Sequence, residues 1–178
     1  MPDAPPRLIF AVTATRCNNM SDHVYHLLLV EDSQAEAHLF KEVLRTWAVR
    51  HLLSVVRDGW EAMAFLHNHG YYNESPRPDL IFLDLTMPGL DGFETLRQIR
   101  HDEDVEISSI PVIVLTNSSA PSDVKRAYQA GANCYITKPQ SLEQSYELMA
   151  AVEWFWFEIN KLPPPCVPPV REARDREG

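Results

Sequence analysis

A chain of 178 residues is long enough for one domain with a buried core, and its formal net charge of −9, without any basic block, argues against nucleic-acid binding. Its three cysteines, Cys17, Cys134 and Cys166, have neither paired nor metal-type spacing, which is typical of a reducing compartment. No apolar stretch approaches the roughly 18 residues of a membrane span, so we expect a cytoplasmic protein without membrane association.

Both ends of the chain differ from its middle. Residues 1–22 show no periodicity and are predicted to be a disordered leader; because Met20 lies just before the first patterned residues, a start codon assigned too far upstream would explain this leader. Residues 163–178 begin with five prolines in seven residues and are predicted to be a disordered tail. These limits place the domain at residues 23–162.

Short apolar runs alternate with segments of helical periodicity between these ends. The runs are typical of buried parallel strands, and we predict strands at residues 25–30, 51–56, 79–83, 111–115 and 133–137. Helices are predicted at about 33–47, 58–67, 91–100, 121–131 and 141–159. Ser33 and Glu36 have the spacing of a capping box, residues 102–106 form an acidic loop, and Arg97 and Arg100 read as surface charges. This alternation predicts a doubly wound α/β fold, a parallel sheet covered by helices on both faces.

Four of the strands run directly into residues that carry chemistry. Glu31 and Asp32 follow the first strand, Asp84 the third, Thr116 the fourth and Lys138 the fifth. Since ligands bind beyond the carboxyl ends of the strands in such sheets, these side chains should converge. Three crowded carboxylates repel one another, and oxygen ligands favour a hard cation such as Mg²⁺. The spacing therefore predicts metal-assisted phosphate chemistry with Asp84 as nucleophile, Lys138 neutralising charge and Thr116 donating a hydrogen bond.

Four segments carry a resemblance to a known family: LLLVEDS (27–33), LIFLDLTMPGLDG (80–92), VIVLTNS (112–118) and GANCYITKP (131–139). They resemble the receiver domain of two-component response regulators, over about residues 25–162. The resemblance implies the flavodoxin-like strand order 2-1-3-4-5. It also implies a signalling protein, not an enzyme with a separate substrate, that takes a phosphoryl group from a sensor histidine kinase and switches its surface toward an unidentified downstream partner.

The resemblance assigns a role to each residue of the predicted site. It makes Asp84 the phosphoacceptor and Lys138 the contact to the phosphoryl group, and it implies a cis peptide bond before Pro139. The remaining roles are Mg²⁺ ligation by Asp32, Asp84 and the carbonyl of Thr86, a water-mediated metal contact from Glu31, and a switch pair formed by Thr116 and Tyr135.

The end of the last predicted helix is rich in aromatic residues. With the long loop after the second helix and the segment 131–139, it resembles the small regulators paired with bacterial phytochromes, which implies a bacteriophytochrome as the kinase. Helical spacing predicts that Phe155 and Ile159 face the sheet and that Trp154 and Phe157 point to solvent. We expect Trp154 and Phe157 to form a homodimer interface, although the proline-rich tail could cover them instead.

Three other functions compete with this hypothesis. A haloacid-dehalogenase-type phosphatase would need a second aspartate two residues after the nucleophile, where this chain has Thr86. A flavodoxin-type flavin carrier would need a Ser/Thr-rich loop after the first strand, where this chain has EDSQA (31–35). A receiver-like module that is never phosphorylated is disfavoured by the intact acidic set.

Overall fold

The structure, a computed structural model, describes residues 23–163. The predicted leader and all but the first residue of the predicted tail lie outside the described residues. Among residues 23–163, no helix is long and apolar enough to cross a membrane.

Five parallel strands form one sheet in the order β2-β1-β3-β4-β5, as the resemblance implied. The registers pair Val30 with both Val56 and Leu83, and Thr116 with Thr137, so the carboxyl ends of the strands lie at one edge. The strands are β1 (Tyr25–Val30), β2 (His51–Val56), β3 (Leu80–Leu83), β4 (Val112–Thr116) and β5 (Cys134–Thr137).

The predicted helices are present, and a short helix that the sequence did not predict joins them. The helices are α1 (Gln34–Leu44), α2 (Gly59–Leu66), α3 (Gly92–Arg100), α4 (Val105–Ser108), α5 (Pro121–Gln129) and α6 (Leu142–Glu153). The first predicted helix is shorter than expected, because residues 45–47 form tighter hydrogen bonds to carbonyls three residues back. The acidic loop contains the one-turn helix α4, which Asp104 caps through its side chain.

Alternate residues of the strands build two apolar layers, one on each face of the sheet. Leu27, Leu29 and Phe82 pack with α1 and α6 on one face. Leu28 and Leu83 belong to the other layer, with residues from α2, α3 and α5. A strand buried on both faces must be apolar throughout, which explains the continuous apolar runs. The doubly wound architecture is thus confirmed.

The last helix does not continue with α-helical geometry to its end. Residues Trp154–Ile159 form a π-helical segment, in which Asn160 N–H donates to the carbonyl of Phe155, five residues back. The wider turn rotates the side chains away from the positions that regular helical spacing predicts. Phe155 and Ile159 are therefore about half exposed, against prediction. Phe157 is partly buried against Tyr25 and Trp47, so its predicted exposure is wrong, whereas Trp154 is 53 % exposed.

Arg100, at the end of α3, is not the plain surface charge that the sequence suggested. Its guanidinium donates to the carbonyls of Gly131 (2.8 Å), Ser108 (3.1 Å) and Ile110 (2.9 Å), and to Asn133 Oδ1 (2.6 Å). Burial lowers the pKa of Arg100, although an arginine stays charged at any physiological pH. One side chain thus ties α3 and α4 to the loop that precedes β5.

Candidate functional site

The carboxyl edge of the sheet brings together two acids and a lysine from three different strands. Lys138 Nζ lies 2.7 Å from Glu31 Oε2 and 2.8 Å from Asp84 Oδ2. Both acids are buried, at 4 % and 5 % exposure, and the Lys138 side chain is nearly so. Buried charges persist when they are paired and hydrogen-bonded. The predicted convergence of Glu31, Asp84 and Lys138 is therefore present as a compact ionic cluster.

The backbone around Asp84 fixes its carboxylate at this edge. Asp84 N–H donates to the carbonyl of Val30 (3.1 Å), and Thr86 N–H donates to Asp84 Oδ1 (3.1 Å). A β-carbon at Gly92 would lie 2.2 Å from the carbonyl oxygen of Asp84 and 2.6 Å from Leu85 Cα. The start of α3 thus approaches the Asp84 backbone so closely that only glycine fits there.

Glu36 joins the cluster, although the sequence suggested only a capping role for it. Its backbone N–H donates to Ser33 Oγ (3.3 Å), as in a capping box. Its carboxylate does not return to Ser33 N–H, which donates instead to Glu31 Oε1 (3.0 Å). The Glu36 carboxylate is hydrogen-bonded to Lys138 Nζ. Because Glu31 already accepts the Ser33 N–H, the Glu36 carboxylate on the first turn of α1 can bind Lys138 as the third acid of the cluster.

The other predicted site residues lie around this cluster. Asp32 and Thr86 are exposed at the same edge. Asp32 directly follows the buried Glu31, and Thr86 lies two residues after the buried Asp84. Thr116 is fully buried, and its carbonyl accepts the backbone N–H of Lys138 (2.8 Å). Among residues 23–163 no peptide bond is cis, so the expected cis bond before Pro139 is wrong. The trans form is also the commoner state of such bonds.

Tyr135 connects the site to the start of α5. Its hydroxyl donates to the carbonyl of Ser118 (2.8 Å), and Ser118 Oγ donates to Asp123 Oδ2 (2.6 Å). Ser118 N–H reaches Thr116 Oγ1 at 3.5 Å, at the long limit of a hydrogen bond. Burial raises the pKa of Tyr135, which therefore keeps its proton and its role as a donor. The predicted pair Thr116 and Tyr135 thus meets at one loop residue, Ser118.

The electrostatics of the cluster follow from burial and pairing. Burial raises the pKa of Glu31, and this effect outweighs its contact with Lys138. Burial alone would lower the pKa of Lys138, but its hydrogen bonds to Asp84, Glu31 and Glu36 more than compensate and raise that pKa. Lys138 is therefore a permanent cation held among carboxylates.

The donor set fits a hard divalent cation. One carboxylate oxygen from each of Glu31, Glu36 and Asp84 lies within 4.8 Å of the others. Three carboxylates share one ammonium group, so the cluster has an excess of negative charge. Oxygen-only donors with this excess of charge suit Mg²⁺ or a similar ion.

The fold and this acidic edge define a receiver domain. Residues 27–153 match the family model for the response regulator receiver domain, and the chain belongs to that family. It is therefore a response regulator, a protein of phosphorelay signalling.

The proteins that it resembles include a phytochrome response regulator. The chain is 45 % identical over 137 residues to the response regulator Rcp1 of Synechocystis sp., covering 77 % of this chain and 92 % of Rcp1. A structure of the Mn²⁺-bound form of Rcp1 superposes with a TM-score of 0.72 at 44 % identity, covering 79 % of this chain and 99 % of the chain in that structure. The phosphorylated cyanobacterial phytochrome response regulator RcpA superposes with a TM-score of 0.74 at 40 % identity, covering 80 % of this chain and all of RcpA.

Proposed function

We propose that Asp84 accepts a phosphoryl group from a histidine kinase in a Mg²⁺-dependent reaction. The observation that carries this proposal is the buried Asp84 carboxylate, held 2.8 Å from the Lys138 ammonium at the carboxyl edge of the sheet. A carboxylate oxygen attacks phosphorus, the bond from phosphorus to the kinase histidine breaks, and the electron pair leaves with the imidazole. The chain catalyses this step only upon itself.

Each surrounding residue has a defined part in that step. Lys138 neutralises the charge of the transferred group, and the Thr116 hydroxyl donates a hydrogen bond to a phosphoryl oxygen. Asp32, Asp84 and the Thr86 carbonyl would hold Mg²⁺, with Glu31 acting through water. The bound ion would supply positive charge to the phosphoryl oxygens.

The phosphorylated state differs from the resting state at Thr116 and Tyr135. A phosphoryl group brings about −1.5 to −2 charges and strong acceptors. It draws the Thr116 hydroxyl toward itself, and Tyr135 gives up the Ser118 carbonyl and turns inward. Because Ser118 is bound to Asp123 at the start of α5, the face formed by α5, β5 and α6 changes as a unit. This is a shift between two existing states.

The partner that supplies the phosphoryl group is a bacteriophytochrome-type sensor kinase in the cytoplasm. The support is the likeness to Rcp1 and to RcpA, which is described as a phytochrome response regulator. Light signalling is then the input that this regulator reports to its downstream partner.

We also propose that the chain forms a homodimer through the end of its last helix. Trp154, which is exposed, remains part of the proposed interface, whereas Phe157 packs against Tyr25 below that surface. Phe155 and Ile159, both about half exposed, take the place that Phe157 was expected to fill. Large apolar groups in water mark interaction sites, and aromatic anchors commonly dominate them.

The test of the proposed chemistry is phosphorylation of the purified chain by a small donor. Acetyl phosphate with Mg²⁺ should add one phosphoryl group, measured by intact mass, and peptide mapping should place it at Asp84. Chelation of the metal should prevent the reaction. Phosphorylation that persists without free metal would contradict the proposal.

A further inference from the structure

The ammonium group of Lys138 contacts three carboxylates, one of which, that of Glu36, the sequence did not place in the site. It donates to Glu31 and Asp84 and also to Glu36 Oε2. An ammonium group has three N–H donors, so the resting site uses all of them. Lys138 can therefore keep its contact with Asp84 and add one to a phosphoryl oxygen only after it gives up the hydrogen bond to one of the two glutamates.

Burial decides which of the two glutamates releases Lys138. The Glu31 side chain is 3 % exposed, and its second oxygen is already bound by Ser33 N–H. The Glu36 side chain is 40 % exposed, on the first turn of α1. A carboxylate that loses a partner inside the protein stays unsatisfied, whereas water replaces the partner of an exposed one. Glu36 is therefore the acid whose release costs least.

We propose that Glu36 is a positioning residue that holds Lys138 in its resting place, and that it must release Lys138 as Asp84 is phosphorylated. The proposal rests on the proposed function, because Asp84 is the acceptor. During transfer an Asp84 oxygen bonds to phosphorus, the bond from phosphorus to the donor breaks, and its electron pair leaves with the donor. Lys138 turns to the new phosphoryl oxygens while water takes its place at Glu36. The Glu36 contact therefore slows phosphorylation.

The first test measures phosphorylation rates of Glu36→Gln and Glu36→Asp. Phosphoramidate is the donor, Mg²⁺ is saturating for each variant, and intact mass follows the reaction. Glu36→Gln removes the charge, and Glu36→Asp keeps the charge but shortens the side chain by one methylene. Both should react about two- to fivefold faster than the natural chain, the range expected for loss of a partly exposed ion pair.

The matched control is Glu42→Gln, an equal charge change on the same helix, where Glu42 pairs with Arg45. Its rate should equal that of the natural chain. A rate for Glu36→Gln that is unchanged or lower would overturn the proposal, and a lower rate would indicate a metal ligand instead. A fast Gln variant beside a normal Asp variant would also overturn it, because charge alone would then be responsible.

A second readout needs no phosphorylation and separates this proposal from the proposed function. The ¹⁵N resonance of the Lys138 ammonium reports its hydrogen bonds in the resting protein. Loss of the Glu36 contact should move this resonance and speed exchange of its protons with water, and Glu42→Gln should change neither. An unchanged resonance in Glu36→Gln would overturn the proposal even if Asp84 is phosphorylated normally. A changed resonance in a chain that is never labelled at Asp84 would contradict the proposed function and the slowing of transfer, and would leave only the resting contact.

Discussion

Charge imbalance is the main feature of the site at the scale of single residues. Glu31, Glu36 and Asp84 surround one cation, Lys138, and Asp32 adds a further acid at the exposed rim. Like charges in one place raise the cost of ionising all of them. A divalent cation removes that cost, so metal binding and the stability of the edge are linked.

Replacing Asp32 with asparagine should therefore weaken Mg²⁺ binding by about tenfold or more, the range seen when a metal site loses a supporting group. The metal-free variant should melt at a slightly higher temperature, because one repelling charge is gone. Isothermal titration and thermal melts measure the two effects. Glu103→Gln makes the same charge change on an exposed residue after α3 and should change neither property. Equal Mg²⁺ affinity in Asp32→Asn and the natural chain would show that Asp32 is not a metal ligand.

The order of residues along the chain was sufficient to predict most of this cluster. Parallel strands end at one edge, so Glu31, Asp84 and Lys138 had to meet whatever the details of the loops. The position of the Glu36 side chain could not be predicted, because it depends on which carboxylate accepts the hydrogen bond from the Ser33 backbone N–H. Arg100 was missed for a similar reason, since its acceptors are backbone carbonyls and one side-chain amide, whose positions depend on how the following loops fold.

At the scale of elements, the fit between α3 and the end of β3 holds the acceptor in place. Gly92 begins α3 where the helix meets the Asp84 carbonyl, and no side chain fits between them. The helices and strands themselves followed from apolar periodicity and from caps such as Ser33, Asp58 and Ser141. The π-helical segment Trp154–Ile159 was not predicted, because the prediction assumed one helical period throughout.

Gly92→Ala should destabilise the fold, against the usual preference of helices for alanine. Alanine gains about 1 kcal/mol over glycine in a helix, but overpacking costs typically 1–3 kcal/mol, and here the clash is with backbone that cannot turn away. Because backbone atoms are involved, we take the upper part of that cost, about 2–3 kcal/mol, and expect a net loss of about 1–2 kcal/mol in the free energy of unfolding, measured by urea denaturation. A variant as stable as the natural chain would show that α3 can move away from Asp84 at no cost.

At the scale of the whole molecule, the two faces of the sheet have different tasks. The face that carries α1 and α6 ends in the apolar surface formed by Trp154, Phe155 and Ile159. The other face carries α5, whose first turn is linked to Tyr135 through Ser118. Both faces meet at the edge that contains Asp84, so phosphorylation of Asp84 can change the surface on either face.

Replacing Trp154 and Phe155 together with alanine should reduce self-association without unfolding the domain, because both side chains are about half exposed. Sedimentation over a range of concentrations should give a lower apparent mass than for the natural chain. Tyr71→Ala removes an aromatic ring that is 98 % exposed elsewhere and should have no effect. A natural chain that stays monomeric at high concentration, phosphorylated or not, would end the proposal of a homodimer.

The most direct test of the central claim compares the natural chain with Asp84→Asn during phosphoryl transfer. Asparagine keeps the shape of the side chain but lacks the charged oxygen that attacks phosphorus. With Mg²⁺ and acetyl phosphate, intact mass should show one phosphoryl group on the natural chain and none on the variant, whose circular dichroism should stay unchanged. A folded Asp84→Asn chain that is labelled as fully as the natural one would contradict the assignment of Asp84 as the acceptor.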